Sequence, residues 1–180
     1  MEHYYKRIGE DWFSYPGLYE GMVESAEDGA HFVEVGTWKG RSAVFMAVEI
    51  INSEKKIQFD CVDTWTAVDT QLPKNMYRNL YETFLKNIEP VKHVINPVRM
   101  LSVKGAEQYE DNSLDFVFID ASHDYNSVLA DITAWYPKVK RKGVIAGHDI
   151  DRKSVKDAVK KYLEGAEFQE AENCWIYLKP

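Results

Sequence analysis

Apolar and polar positions follow two rhythms along this chain. Short apolar runs occur at His31–Val35, Ile57–Val62, Val94–Met100, Leu114–Ile119 and Gly143–Ala146. These have strand length, whereas the stretches between them repeat apolar residues every three or four positions, the mark of one helical face. Gly40–Asn52 places Ala43, Val44, Ala47, Val48 and Ile51 on such a face, and Met76–Ile88 places Leu80, Phe84, Leu85 and Ile88. A first helix is expected over Gly17–Glu27. Asn126–Val139 is helical until Pro137, and Ser154–Leu163 is amphipathic with Ser154 as its expected N-cap. Pro97 cannot donate to a strand ladder, so Val94–Met100 belongs at an edge or end of the sheet. Phe168–Ala171 and Cys174–Leu178, joined through Glu172-Asn173, predict a terminal antiparallel pair.

Repeated β-α-β order predicts an α/β fold: a mostly parallel seven-stranded sheet with helices on both faces, a three-layer sandwich closed by the antiparallel C-terminal pair. No internal repeat or linker interrupts it, so residues 1–180 read as one domain. The longest polar insertion, Thr64–Asn75, is a candidate lid.

Composition narrows the function. The 180 residues are 45% hydrophobic and carry 22 Lys+Arg against 29 Asp+Glu, a formal net charge of −7. An acidic chain lacks the electrostatic footprint that holds a phosphate backbone, which argues against nucleic acid and anionic membrane as partners. The two cysteines, Cys61 and Cys174, sit in apolar runs without CxxC spacing, which excludes a zinc or redox pair of that type. Met1–Trp12 has no apolar run of signal-peptide type, and no apolar stretch approaches bilayer length. A cytoplasmic protein is expected.

In open parallel sheets, ligands bind at the carboxyl ends of the strands. Strand one is followed by Glu34-Val35-Gly36-Thr37-Trp38-Lys39-Gly40-Arg41-Ser42. Gly36 permits a tight turn, and Gly40 brings the next helix start close to the sheet or a ligand. Asp63 ends strand two, where a carboxylate can accept hydrogen bonds from a ribose diol. Ser102 and Glu107, ahead of strand four, are candidate adenine contacts. Strand four delivers Asp120-Ala121-Ser122-His123-Asp124-Tyr125, and strand five delivers Gly147-His148-Asp149. Carboxylates and imidazoles at neighbouring strand ends suit either a divalent cation or a base with its orienter.

These residues resemble the class I S-adenosylmethionine-dependent methyltransferases, whose fold is Rossmann-like. Glu34-x-Gly36-x-x-x-Gly40-x-Ser42 is similar to the first motif of the small O-methyltransferases. Ile119–Tyr125 and Ala146–Asp149 look like the Ile-Asp-Ala-x-His-x-Tyr and Ala-Gly-His-Asp signatures of the macrocin O-methyltransferase, or methyltransferase domain 24, branch. The resemblance implies that Glu34, Gly36, Thr37, Trp38, Gly40 and Ser42 line the methionine end of S-adenosylmethionine. It implies that Asp63 bonds the ribose, that Ser102 and Glu107 approach the adenine, and that Asp120 lies beside the cofactor. Asp120, His148 and Asp149 stand at metal-ligand positions for Mg2+ or another divalent cation. His123 replaces the lysine base of the catechol type, which leaves base and ligand both open for it.

The implied reaction is methyl transfer to a small-molecule hydroxyl. With an ordinary pKa of about 6.5, His123 can take the hydroxyl proton at neutral pH, assisted by Asp120. Trp38, Trp65, Tyr77 and Tyr81 flank the expected mouth, with Trp65 the preferred lid contact. Tyr4, Tyr5, Trp12 and Phe13 are left open between packing on the sheet, covering the cleft and a subunit contact in a homo-oligomer. Two rival classes stand beside this one. Tyr136 and Lys140 have the spacing of an NAD(P)-dependent short-chain oxidoreductase, but Pro137 between them opposes the helix that would join their side chains. A non-catalytic nucleotide-binding module is the other.

Overall fold

A computed structural model describes residues 1–66 and 73–180. Its helices are α1 (Pro16–Ser25), α2 (Arg41–Ser53), α3 (Leu80–Ile88), α4 (Ser102–Ala106), α5 (Tyr125–Trp135) and α6 (Lys153–Tyr162). Its strands are β1 (His31–Val35), β2 (Gln58–Asp63), β3 (Ile95–Arg99), β4 (Leu114–Ile119), β5 (Val139–Gly147), β6 (Glu167–Gln169) and β7 (Cys174–Leu178). They form one sheet of order β3-β2-β1-β4-β5-β7-β6. The first five strands are parallel, and β7 runs antiparallel to β5 and β6. The expected Rossmann-like three-layer architecture is therefore present.

Strand alternation sorts the core into two layers. Phe32, Phe59, Cys61, Phe116 and Phe118 face α1, α2 and α3. Val33, Val35, Val62, Val117, Ile119 and Ile145 face α4, α5 and α6. Central parallel strands are covered on both sides and so read as unbroken apolar runs. Helix α2 has Gly40 at its N-cap with no side-chain cap, yet eight of its residues are buried. A cap is worth about 1 kcal/mol, while each large apolar side chain fully buried contributes about 1.5–3 kcal/mol. Packing therefore decides this helix.

Pro97 sits in β3, an edge strand, as its missing donor requires. Three local expectations change. Leu85 is exposed, because α3 buries only the stripe Leu80, Phe84 and Ile88. Strand β5 begins at Val139, four residues early, where polar Lys140–Lys142 conceal it; its pairing with β4 shifts register between Leu114 and Phe116. Ser154 is not an N-cap: α6 starts at Lys153, and the Ser154 hydroxyl instead donates to the His123 carbonyl at 2.6 Å. Half of the candidate lid, residues 67–72, lies outside the described residues. Among the described residues, no helix is long and apolar enough to cross a membrane.

Candidate active site at the strand ends

The sheet reverses its strand order between β1 and β4, the switch point where such folds open a crevice. Gly36 leaves β1 with φ +87°, and a Cβ there would lie 2.1 Å from the Asp120 carbonyl oxygen. Gly36 N–H donates to Val62 O, and Asp120 N–H donates to Val35 O, both at 2.8 Å. The ends of β1, β2 and β4 are thus tied into one rim. Gly40, also left-handed, packs against Phe84 and Ile88, so a larger residue would push α2 off α3. Three non-glycine residues after strand ends are left-handed as well: Trp38 after β1, Trp65 after β2 and Asp149 after β5. Strained backbone of this kind gathers at functional sites.

Asp63 holds the turn. Its Oδ2 accepts the backbone N–H groups of Thr37 and Trp38, both at 2.9 Å, and its Oδ1 accepts that of Trp65 at 2.8 Å. Burial raises the Asp63 pKa against these bonds. Three backbone donors thus share the carboxylate that sequence reading assigns to the ribose diol.

Glu34 is buried beneath this turn, and its Oε1 accepts the Ser42 hydroxyl. Burial pushes its pKa up to about 8, helped by the nearby charge of Asp120 and opposed by Ser42. Thr37 Oγ1 is buried without a hydrogen bond among the described residues, while the Tyr19 hydroxyl faces Glu34 and helps hold its charged form. Buried polar groups seldom go unpaired unless a ligand or water completes them. Thr37 Oγ1, the N–H groups at the start of α2 and the tight glycine turn fit the amino-acid end of S-adenosylmethionine.

On the facing side, His123 Nε2 lies 2.7 Å from Asp149 Oδ2 and 3.9 Å from Asp120 Oδ1. Burial alone would lower the His123 pKa. Hydrogen bonds and charge from Asp120 and Asp149 overturn that and lift it to about 9. The two carboxylates therefore favour the protonated imidazole over the neutral ring of an ordinary histidine. Burial would raise the Asp149 pKa, but its bonds to His123 and His148 hold it well below the usual carboxylate range. Asp120, His123 and Asp149 bring ligand atoms within 4.8 Å of one another. The expected set included His148 instead. That ring spans the two sides, with Nε2 2.8 Å from Ser14 Oγ and Nδ1 3.6 Å from Asp149 Oδ2 and 3.9 Å from Asp120 Oδ2. Two carboxylates and an imidazole form a donor set compatible with a divalent cation.

Other candidates lie elsewhere. The Ser102 hydroxyl accepts the Trp135 indole N–H at 3.0 Å, which engages it with α5. Glu107 is exposed and pairs with Lys104 at 2.6 Å. Trp65 is not a lid contact: it is 2% exposed, packs on Tyr81 and Phe84, and donates its indole N–H to the Trp38 carbonyl. Tyr136 packs against Tyr162 and Tyr177 while Lys140 pairs with Asp115, so the oxidoreductase-like spacing assembles nothing. A groove of about 560 Å3 opens near Ile50, Lys56, Phe59, His93 and Ile95, at the opposite end of the sheet from this chemistry.

The N-terminal segment covers the glycine turn. Glu10 accepts from the Trp38 indole at 2.9 Å and Lys39 at 2.6 Å, Asp11 pairs with Arg41, and the Trp12 ring lies tilted against Trp38. Tyr5 and Phe13 pack on Phe45, and Tyr4 also joins that core layer. Tyr15 donates to Asp120 Oδ2 at 3.0 Å. Sequence reading missed Ser14, Tyr15 and Glu10 as site residues, because they lie far along the chain from every strand end and carry no motif.

Comparison with known proteins agrees with this geometry. A family model described as a methyltransferase domain, Methyltransf_24, matches residues 33–150. The uncharacterised protein y4gI of Sinorhizobium fredii (strain NBRC 101917 / NGR234) is 24% identical over 120 residues, 66% of this chain; the match spans 13% of that protein's length. The O-methyltransferase NovP superposes with a TM-score of 0.72 at 16% identity, covering 92% of this chain and 79% of its own. CalS11, a calicheamicin methyltransferase, gives 0.61 at 13% identity over 90% and 76%; it is also described as a TDP-rhamnose 3'-O-methyltransferase. Aeropyrum pernix fibrillarin, solved with natively bound S-adenosyl-L-methionine, gives 0.58 at 13% identity over 92% and 76%. At these identities the likeness is one of fold.

Proposed function

This chain belongs to the family of methyltransferase domains matched by its residues 33–150, with the class I S-adenosylmethionine-dependent fold, and from that premise we propose that it methylates a hydroxyl oxygen of a small molecule. The observation that carries this reading is the meeting of two half-sites at one sheet end. The Gly36–Gly40 turn closes against the backbone of Asp120, the residue that begins the His123–Asp149 cluster.

The sulfonium donor brings an electrophilic methyl group, so the protein has to align the acceptor and manage one proton. Glu34, Thr37 and the start of α2 would hold the amino-acid end of the donor, and Asp63 would stiffen the turn while offering one hydrogen bond to the ribose. Ser42 would keep Glu34 in place. His123 would take the acceptor proton on Nε2 once the negative charge of its two carboxylate neighbours is offset. Asp120 and Asp149 would hold a divalent cation, which supplies that positive charge and acidifies a bound hydroxyl.

A second reading of His123 is favoured by the compact Asp120–His123–Asp149 set: the imidazole serves as a third ligand, and the acceptor proton leaves to solvent. One nitrogen cannot do both. Tryptophan quenching by S-adenosylhomocysteine, with NADPH as control, tests the donor site; quenching by NADPH alone would overturn the assignment. Methyl transfer to a panel of hydroxyl acceptors that includes nucleotide sugars tests the acceptor class, and transfer only to amines would refute it. Turnover unchanged after chelator dialysis would remove the cation.

A further inference from the structure

The rim residues on β4 and β5 fall within the stretch matched by the family, but the residues that hold two of them do not. Tyr15 is 1% exposed, with its ring packed on Phe118 at 4.4 Å and on His148 at 5.0 Å. Its hydroxyl donates to Asp120 Oδ2, which leaves Oδ1 as the oxygen nearer His123. The residue before it addresses the other strand. Ser14 donates its single hydroxyl proton to the Glu172 carbonyl at 3.0 Å, and a carbonyl can only accept. Ser14 Oγ must therefore accept from His148, so Nε2 carries the hydrogen and Nδ1 faces Asp149 and Asp120.

The anchor for this pair comes from the far end of the chain. Glu172 accepts the N–H groups of Gly17 at 2.7 Å and Leu18 at 3.0 Å, filling the N-terminus of α1. A Cβ on Gly17 would lie 2.8 Å from Glu172 Oε1, so the carboxylate sits close against the helix backbone. Glu172 thus sets where α1 begins and, through it, where Ser14 and Tyr15 point.

We propose that Tyr15 is a positioning residue for Asp120, fixing the rotation of that carboxylate so that the Asp120–His123–Asp149 cluster can take a cation, with Ser14 doing the same for the His148 ring. The inference rests on the reading that this cluster holds a divalent cation. Outer partners of metal ligands are worth about 10–100-fold in affinity, so Tyr15→Phe, which keeps the ring and removes only the hydroxyl, should weaken binding by about tenfold or more.

The test is Mn2+ titration of the full chain, followed by electron paramagnetic resonance, for the wild type, Tyr15→Phe and Tyr109→Phe. Tyr109 makes a similar part-buried bond to Asp60 at 2.9 Å, away from the rim. It is the control for lost stability without lost positioning. The expected result is weaker Mn2+ binding in Tyr15→Phe alone, with both variants showing a similar fall in melting temperature. Equal Mn2+ affinity in Tyr15→Phe and the wild type overturns the inference and leaves the cation reading intact. Equal weakening in Tyr109→Phe also overturns it, since the effect is then general. A wild type that binds no Mn2+ refutes the cation reading, and the inference falls with it.

Discussion

His123 Nε2 bridges Asp149 at 2.7 Å and Asp120 at 3.9 Å, so one imidazole joins carboxylates delivered by two neighbouring strands. That relationship sets the charge state of the rim and makes it measurable. The folded pKa of about 9 lies above the usual histidine value. Stability from this group is therefore fully present below about pH 6.5 and is lost as pH rises through about 9. The His123 ring signals should titrate near 9 by NMR. Asp149→Asn should move that midpoint down toward the ordinary histidine range; an unmoved midpoint would deny the pair.

Glu34 predicts a slope of the opposite origin. Its folded pKa of about 8 lies above the 4.5 of an unperturbed glutamate, so between those values the folded state binds more protons than the unfolded one. Stability should fall as pH rises from about 4.5 to 8, by an amount on the order of a few kcal/mol. Glu34→Gln should flatten this part of the profile, as read by denaturant unfolding at several pH values.

Gly36 is required twice over, by its positive φ and by the Asp120 carbonyl 2.1 Å from where a Cβ would sit. Backbone strain and overpacking together predict that Gly36→Ala loses about 2–5 kcal/mol. Binding of S-adenosylhomocysteine, followed by calorimetry, should disappear with it.

Asp63→Ala would strand three backbone N–H groups, those of Thr37, Trp38 and Trp65. Unpaired buried donors cost about 1–3 kcal/mol each, and partial hydration makes about 2–4 kcal/mol the expected total. Asp63→Asn, which keeps acceptor capacity on one oxygen only, should lose less. Equal losses in urea unfolding would show that the carboxylate does not hold the turn.

Legibility along the chain followed the reach of each interaction. Strands β1 and β4 were readable to the residue because central strands must be apolar on both faces. Pro97 announced an edge strand because its missing N–H is a local fact. The start of β5 was not readable, since Lys140–Lys142 are polar and the register shift that places them depends on β4. Leu85 and Ser154 were misread for a related reason: whether a helical residue is buried, or a hydroxyl caps, depends on what packs beside it.

The amino-acid sequence alone determined the layers, the order of strands and helices, and which residues stand at the carboxyl ends of the strands. These follow from periodicity, from the conformational freedom of glycine and from the missing donor of proline, all carried by neighbours in the chain. Only the tertiary structure decided what those residues do to one another. It drew His123 in beside Asp120 and Asp149, left His148 Nδ1 within 4 Å of the same two carboxylates, and set Asp63 to hold the backbone of the glycine turn. It also brought Ser14, Tyr15 and Glu172 from opposite ends of the chain to the rim. Hydrogen bonds and charge act over a few ångströms of space, and distance along the sequence does not encode that separation.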